Sequence, residues 1–512
     1  GRACAPPNGR GVCVEGMCLL HSCDAGFFDQ NGGSADGCEE VSGGRTLFVD
    51  SEAPGPGDGS EGDPFVRVTD ALEAAGDGDE VRVRPGAYSG PVVIVQEALV
   101  LRSVEPGQAS LSHSGDGPST VDIRGNFSSV EGFSIDARGT QYGVLLGCAE
   151  GCGAIGNRVE DVLGPSGQCS WSHAAGIFVD GVRAPRVGDN HVEGVFGGPS
   201  ASSSLHCGVS FGGRAEGIAV HGSVDGELFS NRIARVEGGQ GGRTDLHRAG
   251  DGGLGIGLGL HGSSGFLVVD TEIAEVRGGP GGERGRLAHL DVVGAGGLGA
   301  GVYWADAVDN RLVSTRIRDV DGGPGRRARD EEIGVGAPGA GYGLFVADDG
   351  SRGNWIEGDS RIDEDPLLYR FRQVGGAVSG HRVTGETMPT NLGKIVLERC
   401  AGVIVADNEI AHGTLGGGPS GGGTGPEAVG VQVFDSHGIA LRDNVIRDLT
   451  GGMGGSNAYN AVGGLGGASV GVRLVRCADC RVEGVEIADL LGGPGGLSGT
   501  GALARPGAGG DA

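Results

Sequence analysis

The sequence predicts an all-β solenoid of stacked short parallel strands, and three observations carry that expectation. First, one phrase, a glycine followed by two apolar residues one apart, recurs along most of the chain. It reads Gly217-Ile218-Ala219-Val220, Gly257-Leu258-Gly259-Leu260, Gly301-Val302-Tyr303-Trp304, Gly343-Leu344-Phe345-Val346, Gly430-Val431-Gln432-Val433 and Gly471-Val472-Arg473-Leu474, with earlier copies at Gly143 and Gly176 and a weaker one near Gly393. Second, successive starts lie 33, 41, 40, 44, 42, 50, 37 and 41 residues apart, the range of repeat architectures. Third, 111 of the 512 residues are glycine and only 4% are aromatic. The core therefore falls to Val, Ile, Leu and Ala, which suit stacked strands. The glycines lack the three-residue period of collagen.

The chain opens on a different text. Cys4, Cys13, Cys18, Cys23 and Cys38 crowd the first forty residues, so residues 1–43 read as a disulfide-stapled module from an oxidising compartment. Zinc is the poorer reading, because the spacing holds no CxxC pair and only His21 stands nearby. The odd number of cysteines here, with no starting Met, predicts further sequence upstream. The stretch GVCVEGMCLLHSCDAGFFDQNGGSADGCEE resembles a cysteine-rich repeat of secreted and surface proteins of some Gram-negative bacteria. That resemblance implies a location outside the cytoplasm, extracellular or on the outer surface of a bacterium. Further along, Cys148 with Cys152 and Cys477 with Cys480 are each spaced to close a local loop. The second pair also has the spacing of a redox motif, but no thioredoxin-like βαβ pattern surrounds it.

Residues 44–100 read as strand, acidic loop, short helix, strand, turn and strand. The helix is expected over Thr69 to Ala75, with Ala71, Leu72 and Ala75 on one side, Thr69 as N-cap and Gly76 as stop. Such a segment covers an otherwise open sheet edge. Val49, Asp50, Gly59, Pro64, Phe65, Ala71, Leu72, Ala75, Gly78, Asp79, Val81, Val83, Gly86 and Tyr88 together resemble the opening motif of right-handed parallel β-helix proteins of the pectate-lyase-like superfamily. The resemblance implies a right-handed parallel β-helix with many possible activities, and residues 101–512 would be its coils.

In the coils, alternation along Gly-Φ-x-Φ sends Ile218 and Val220, or Val431 and Val433, inward. A second strand holds Leu312 and Val313, Val403 and Val405, or Ile439 and Leu441. A turn then holds Asn157, Asn190, Asn231, Thr271, Thr315, Ser360, Asn408, Asn444 or Gly484. Asn suits left-handed turn geometry, and its amide can bond the next copy. The remainder of each period protrudes as glycine runs: 238–242, 278–282, 322–325, 451–455 and 492–496, with return runs at 252–255, 296–299 and 463–467. These read either as solvated flexible loops or as a stacked polyglycine layer. Residues 363–392 almost lack glycine doublets and read either as a functional loop or as a degraded coil.

Candidate functional residues come from outward columns. Asp180, His221 and His261 fall on consecutive coils and are the catalytic candidates; such a trio can bind a metal or supply a base with its orienting acid. Phe178, Tyr303 and Phe345 beside them are candidates for stacking on sugar rings. Asp50, Asp58 and Asp63, with Glu61, form an oxygen-only cluster of the kind that binds calcium, the one cofactor suggested, and Asp306, Asp309, Asp348 and Asp349 form another. A solvated face is the plain alternative for every one of these. Of the enzyme signatures of the resembled fold, only Asp348-Asp349 and Arg316-Ile317-Arg318 are echoed.

The formal net charge of −27 disfavours nucleic acid as a partner. No apolar run approaches the ~20 residues that span a membrane. The expected function is a secreted or cell-surface structural or adhesive protein whose partner is an extracellular polysaccharide or another copy of itself. The alternative is a polysaccharide lyase or glycoside hydrolase.

Overall fold

The computed structural model describes residues 4–14, 17–23, 27–28, 37–40, 44–113, 117–166, 172–200, 211–243, 249–283, 293–325, 337–347, 351–357, 361–363, 369–371, 373, 375–379, 382–384, 393–414, 423–456, 462–497 and 508–512. Ser360, Asp348 and Asp349 lie outside them. The chain divides into two units, Gly1–Leu298 with Gly322–Gly339, and Gly299–Asp321 with Ala340–Ala512.

In the first unit, an antiparallel hairpin pairs Gly9–Val14 with Met17–Cys23, and a disulfide joins Cys4 to Cys18. Cys38 is also disulfide-bonded. Strands then recur in threes, each joining a different sheet. One sheet runs from Thr46–Val49 to Leu267–Val269 and a second from Gly86–Ser89 to Glu272–Arg277. The third stacks Val92–Ile94, Ser119–Ile123, Tyr142–Leu146, His173–Asp180, Arg214–His221 and Gly255–His261. All three pair in parallel. Each return to a sheet is a parallel crossover, which takes the right hand; the unit is a right-handed parallel β-helix. Val, Ile and Leu fill its interior with Phe133, Phe229 and Phe266. The Cys148–Cys152 bridge forms as its spacing suggests.

The helix of this unit is Val68–Ala74, one residue earlier than expected at each end, and Arg67 rather than Thr69 holds the N-cap position. The reason is burial: Val68, Ala71 and Leu72 are the residues turned to the core.

The second unit repeats the plan. Its corresponding sheet runs Gly299–Ala305, Gly341–Val346, Tyr369–Phe371, Gly393–Glu398, Ala428–His437 and Ser469–Ala478. Trp304 is fully buried, and Cys477 and Cys480 are bridged. The 363–392 segment supplies Tyr369–Phe371, Ala377–Ser379 and Arg382–Thr384, one strand to each sheet. It is a coil, the second of its two readings.

The turn asparagines point inward and form ladders. Asn190 Oδ1 accepts from the backbone N–H and the amide of Asn157 at 3.0 and 3.2 Å, and Asn231 Oδ1 accepts likewise from Asn190. In the second unit Asn408 donates to Asn444, and Asn310 to Asn354. The left-handed conformation, however, belongs to the residue before: Gly156, Asp189, Ser230, Asp270, Ser314, Asp407 and Asp443 carry φ from 48 to 66°. An inward Asn needs ordinary backbone to aim its amide along the stack, so its short polar neighbour takes the strained corner.

The glycine runs are hydrogen-bonded backbone to backbone. Gly213 donates to Gly198, Gly239 to Gly213, Gly253 to Gly239, Gly279 to Gly253 and Gly297 to Gly279. Outgoing and returning runs thus alternate. In the second unit Gly467 donates to Gly452 and Gly493 to Gly467. A Cβ on Gly253 would lie 1.9 Å from the Gly213 carbonyl oxygen, so the approach admits glycine alone.

Candidate functional site

Four neighbouring strands of the first unit, Tyr142–Leu146, His173–Asp180, Arg214–His221 and Gly255–His261, set the site by register. His173 pairs with Arg214, Phe178 with Ala219, and Asp180 with His221. His221 pairs in turn with His261, and Ala219 with Gly259. Simple alternation would send Glu216 inward with Ile218. The pairing skips Gly217, as it skips the repeat glycine of other coils, and an added Cβ there would strike Ile233 Cγ2 at 2.2 Å. Glu216 consequently reaches the outer face, where a Cβ on Gly259 would meet its Oε2 at 2.1 Å.

Glu216 is the centre of the arrangement. Its side chain is fully buried, while those of Arg214, His173 and His261 stay 20, 19 and 15% exposed. Oε1 faces Arg214 Nε in an ion pair and lies 3.3 Å from His173 Nε2. Oε2 lies 3.2 Å from His261 Nε2, and Arg214 Nη2 lies 3.3 Å from His261 Nδ1. Burial works against the charge of Glu216, but Arg214, His261 and His173 hold its carboxyl well below the usual carboxylate range.

His221 stands between the other two imidazoles, its ring 5.6 Å from His173 and 4.6 Å from His261. Burial, with the nearby His261, His173 and Arg214, pushes its pKa down to about 4. Phe178 meets it edge-on at 4.9 Å and stacks on Tyr142 at 4.7 Å. Burial first, then the charges of Asp180 and Glu216, push the Tyr142 phenol up.

Of the sequence candidates, His221 and His261 do come together, on the outward column and in the register expected. Asp180 pairs with His221 along the backbone but is exposed and stands apart from the converging ligand atoms. Phe178 is buried against Tyr142 and leaves little ring face for a sugar. Tyr303 and Phe345, in the second unit, are half-buried and stack at 5.4 Å.

The calcium candidates are occupied in shaping their loop. Asp50 accepts from Glu52 N–H and pairs with Arg84 at 3.1 Å, and Asp58 accepts from Ser60 N–H. Among the described residues, the group of three or more ligating side chains that converges is His173, Glu216 and His221, not Asp50, Asp58 and Asp63.

Sequence reasoning missed Glu216, Arg214 and His173. One signal was present: an acid directly before the repeat glycine, where the other coils carry Tyr142, Ala175, Ile256, Ala300, Tyr342, Leu392, Val429 and Val470.

No family model matches the chain, and no curated protein matches it. Among solved structures it is similar to DFA-IIIase from Arthrobacter chlorophenolicus A6 without its lid, at 12% identity and TM-score 0.42 over 80% of this chain and 99% of that one. It is similar to pectate lyase Pel9A at 11% identity and TM-score 0.30, over 86% and 80%. The Dettilon tailspike protein matches at 12% and 0.35, over 80% and 63%. At these values nothing about activity follows from the likeness.

Proposed function

We propose that the chain is a carbohydrate-active enzyme working on an extracellular polysaccharide, with its site on the outer face of the first unit. The observation that supports this is the buried Glu216 carboxylate, ringed by Arg214 and three imidazoles on a face flanked by Tyr142. Glu216 is too deep to touch a polymer and acts as a positioning residue. It fixes His261, whose partly exposed ring transfers the proton on the sugar, while Arg214 donates hydrogen bonds to the bound unit. The reaction class is proton-transfer cleavage of a glycosidic link, by elimination or hydrolysis. The disulfides fit an oxidising, extracellular setting, and among the described residues no helix is long and apolar enough to cross a membrane.

The test is depolymerisation of a panel of neutral and uronic polysaccharides, with chain shortening as the readout. Removing a positioned acid–base group costs roughly 100-fold or more. His261→Ala is expected to lose that much kcat while its circular dichroism matches the wild type. Silence of the wild type on the whole panel would overturn the enzymatic reading.

A second, non-enzymatic reading rests on the stacked Tyr303 and Phe345 pair, which suits retention of a glycan without cleavage. Retention of insoluble polymer that Tyr303→Ala abolishes would favour it. Self-association is the remaining reading. Leu474, Val482, Ile487 and Leu491 are 41, 46, 47 and 62% exposed, although three of them pair with the buried Val433, Leu441 and Ile446. Exposed rungs of this kind associate; a sedimentation coefficient unchanged across protein concentration would dismiss that reading.

A further inference from the structure

We infer that His173, Glu216 and His221 form a binding site for a divalent transition-metal ion of the zinc class. One ligand atom from each lies within 4.8 Å of the other two. Two imidazole nitrogens and one carboxylate oxygen, with positions left open, make a donor set for zinc or ferrous iron rather than for calcium, which takes oxygen.

The second observation is independent of the spacing. His221 Nε2 is buried and makes no hydrogen bond, while His173 Nε2 and Glu216 Oε1 lie 3.3 Å apart and Arg214 Nε shares that oxygen. Buried polar atoms are paired in nearly all native structures, and an ion is one of the few explanations for an exception. An unpaired buried His221 nitrogen converging with a second imidazole and a carboxylate calls for an occupant.

The scaffold is also built for it. Stacked parallel strands fix His173, Glu216 and His221 on two adjacent rungs, and Gly259 keeps the neighbouring rung clear of any Cβ. Zinc bonds of about 2.0–2.1 Å put tetrahedral donors roughly 3.4 Å apart, so binding draws the side chains inward by rotation alone.

Arg214 competes for Glu216, because its Nε pairs with the same oxygen. Its side chain is one of the more exposed in the group, so the guanidinium can turn toward solvent when a doubly charged ion takes the carboxylate. The site does not rest on polysaccharide cleavage, and its readout is metal content.

The experiment uses the full untagged chain, stripped with chelator, dialysed and titrated with Zn²⁺ by calorimetry, with Ca²⁺ as control. Bound metal is counted by mass spectrometry. Expected are one equivalent of Zn²⁺ per chain, no comparable heat with Ca²⁺, and at least 100-fold weaker binding in His173→Ala/His221→Ala. Arg214→Ala is expected to bind at least as tightly as the wild type. Should the double variant fail to fold, X-ray absorption of the zinc-loaded wild type decides, with two imidazoles in the first coordination sphere expected. The inference is overturned by a wild type that takes up no stoichiometric Zn²⁺, by undiminished binding in a folded double variant, or by a zinc environment without two imidazoles.

Discussion

Asp79 shows how much one carboxylate does at the start of the first β-helix. Its Oδ1 accepts from Arg45 N–H, and its Oδ2 accepts from Gly76 N–H and twice from the Arg45 guanidinium. Burial opposes its charge, yet those donors outweigh burial and hold its pKa below the ordinary value. A depressed carboxyl pKa stabilises above the unfolded value of about 3.9 and loses that contribution as pH falls through the folded value. Asp79→Asn is therefore expected to be less stable than the wild type at pH 7, with the gap closing below pH of about 4. Urea unfolding at both pH values measures it; a gap that stays constant would show that the charge is irrelevant. Asn190 makes the parallel case in the interior. Its Oδ1 serves Asn157, and its Nδ2 donates to the Ala154 carbonyl at 2.8 Å. Asn190→Ala strands several buried groups at about 1–3 kcal/mol each. Asn190→Thr is expected to cost less, since Thr271 fills the same ladder position by bonding its own Val269 carbonyl.

At the scale of the element, the glycine runs give the sharpest expectation. Gly253 both donates to Gly239 and accepts from Gly279, and its missing Cβ leaves room for the Gly213 carbonyl. Gly253→Val is expected to open the neighbouring runs, seen as lost amide-exchange protection at Gly239 and Gly279 while the strand residues Ile218 and Val220 stay protected. Protection kept at Gly239 in the variant would refute the close approach as the reason for glycine, and none at Gly239 in the wild type would mean that the runs are solvated. The strands themselves were legible because Gly-Φ-x-Φ repeats at a coil's length and its inward positions tolerate only aliphatic residues. Segment 363–392 left a loop and a coil equally open because its glycine run is missing, and Tyr369, Val378 and Val383, which keep the ladder positions, decide for the coil. Glu216 escaped for a different reason. Alternation assigns it inward, whereas the ladder skips the repeat glycine in coil after coil, so the residue before that glycine leaves the simple two-residue phase. His221 and His261 were found since each lies four residues after its repeat glycine, a count that the unequal spacing of coils does not disturb.

For the whole molecule, 66 acidic against 39 basic residues give the net charge of −27, and this separates the polysaccharides that the proposed active site would accept. A polymer of uronic acids is repelled on approach, whereas a neutral one is indifferent to the field. Salt screens the repulsion, because the Debye length falls from about 30 Å at 0.01 M to about 8 Å at 0.15 M. The cluster around Glu216 is sheltered from that screening by burial, so chemistry at the site changes little over the same range. The two substrate classes therefore differ in salt dependence. With a uronate polymer, kcat/KM is expected to rise with NaCl across this interval through a falling KM, at constant kcat. With a neutral polymer both constants stay flat. A fall of kcat/KM with salt on any polymer would mean that a local cationic patch, with Arg214 its nearest candidate, outweighs the net charge during capture, and charge-neutral Arg214→Gln should then abolish the dependence.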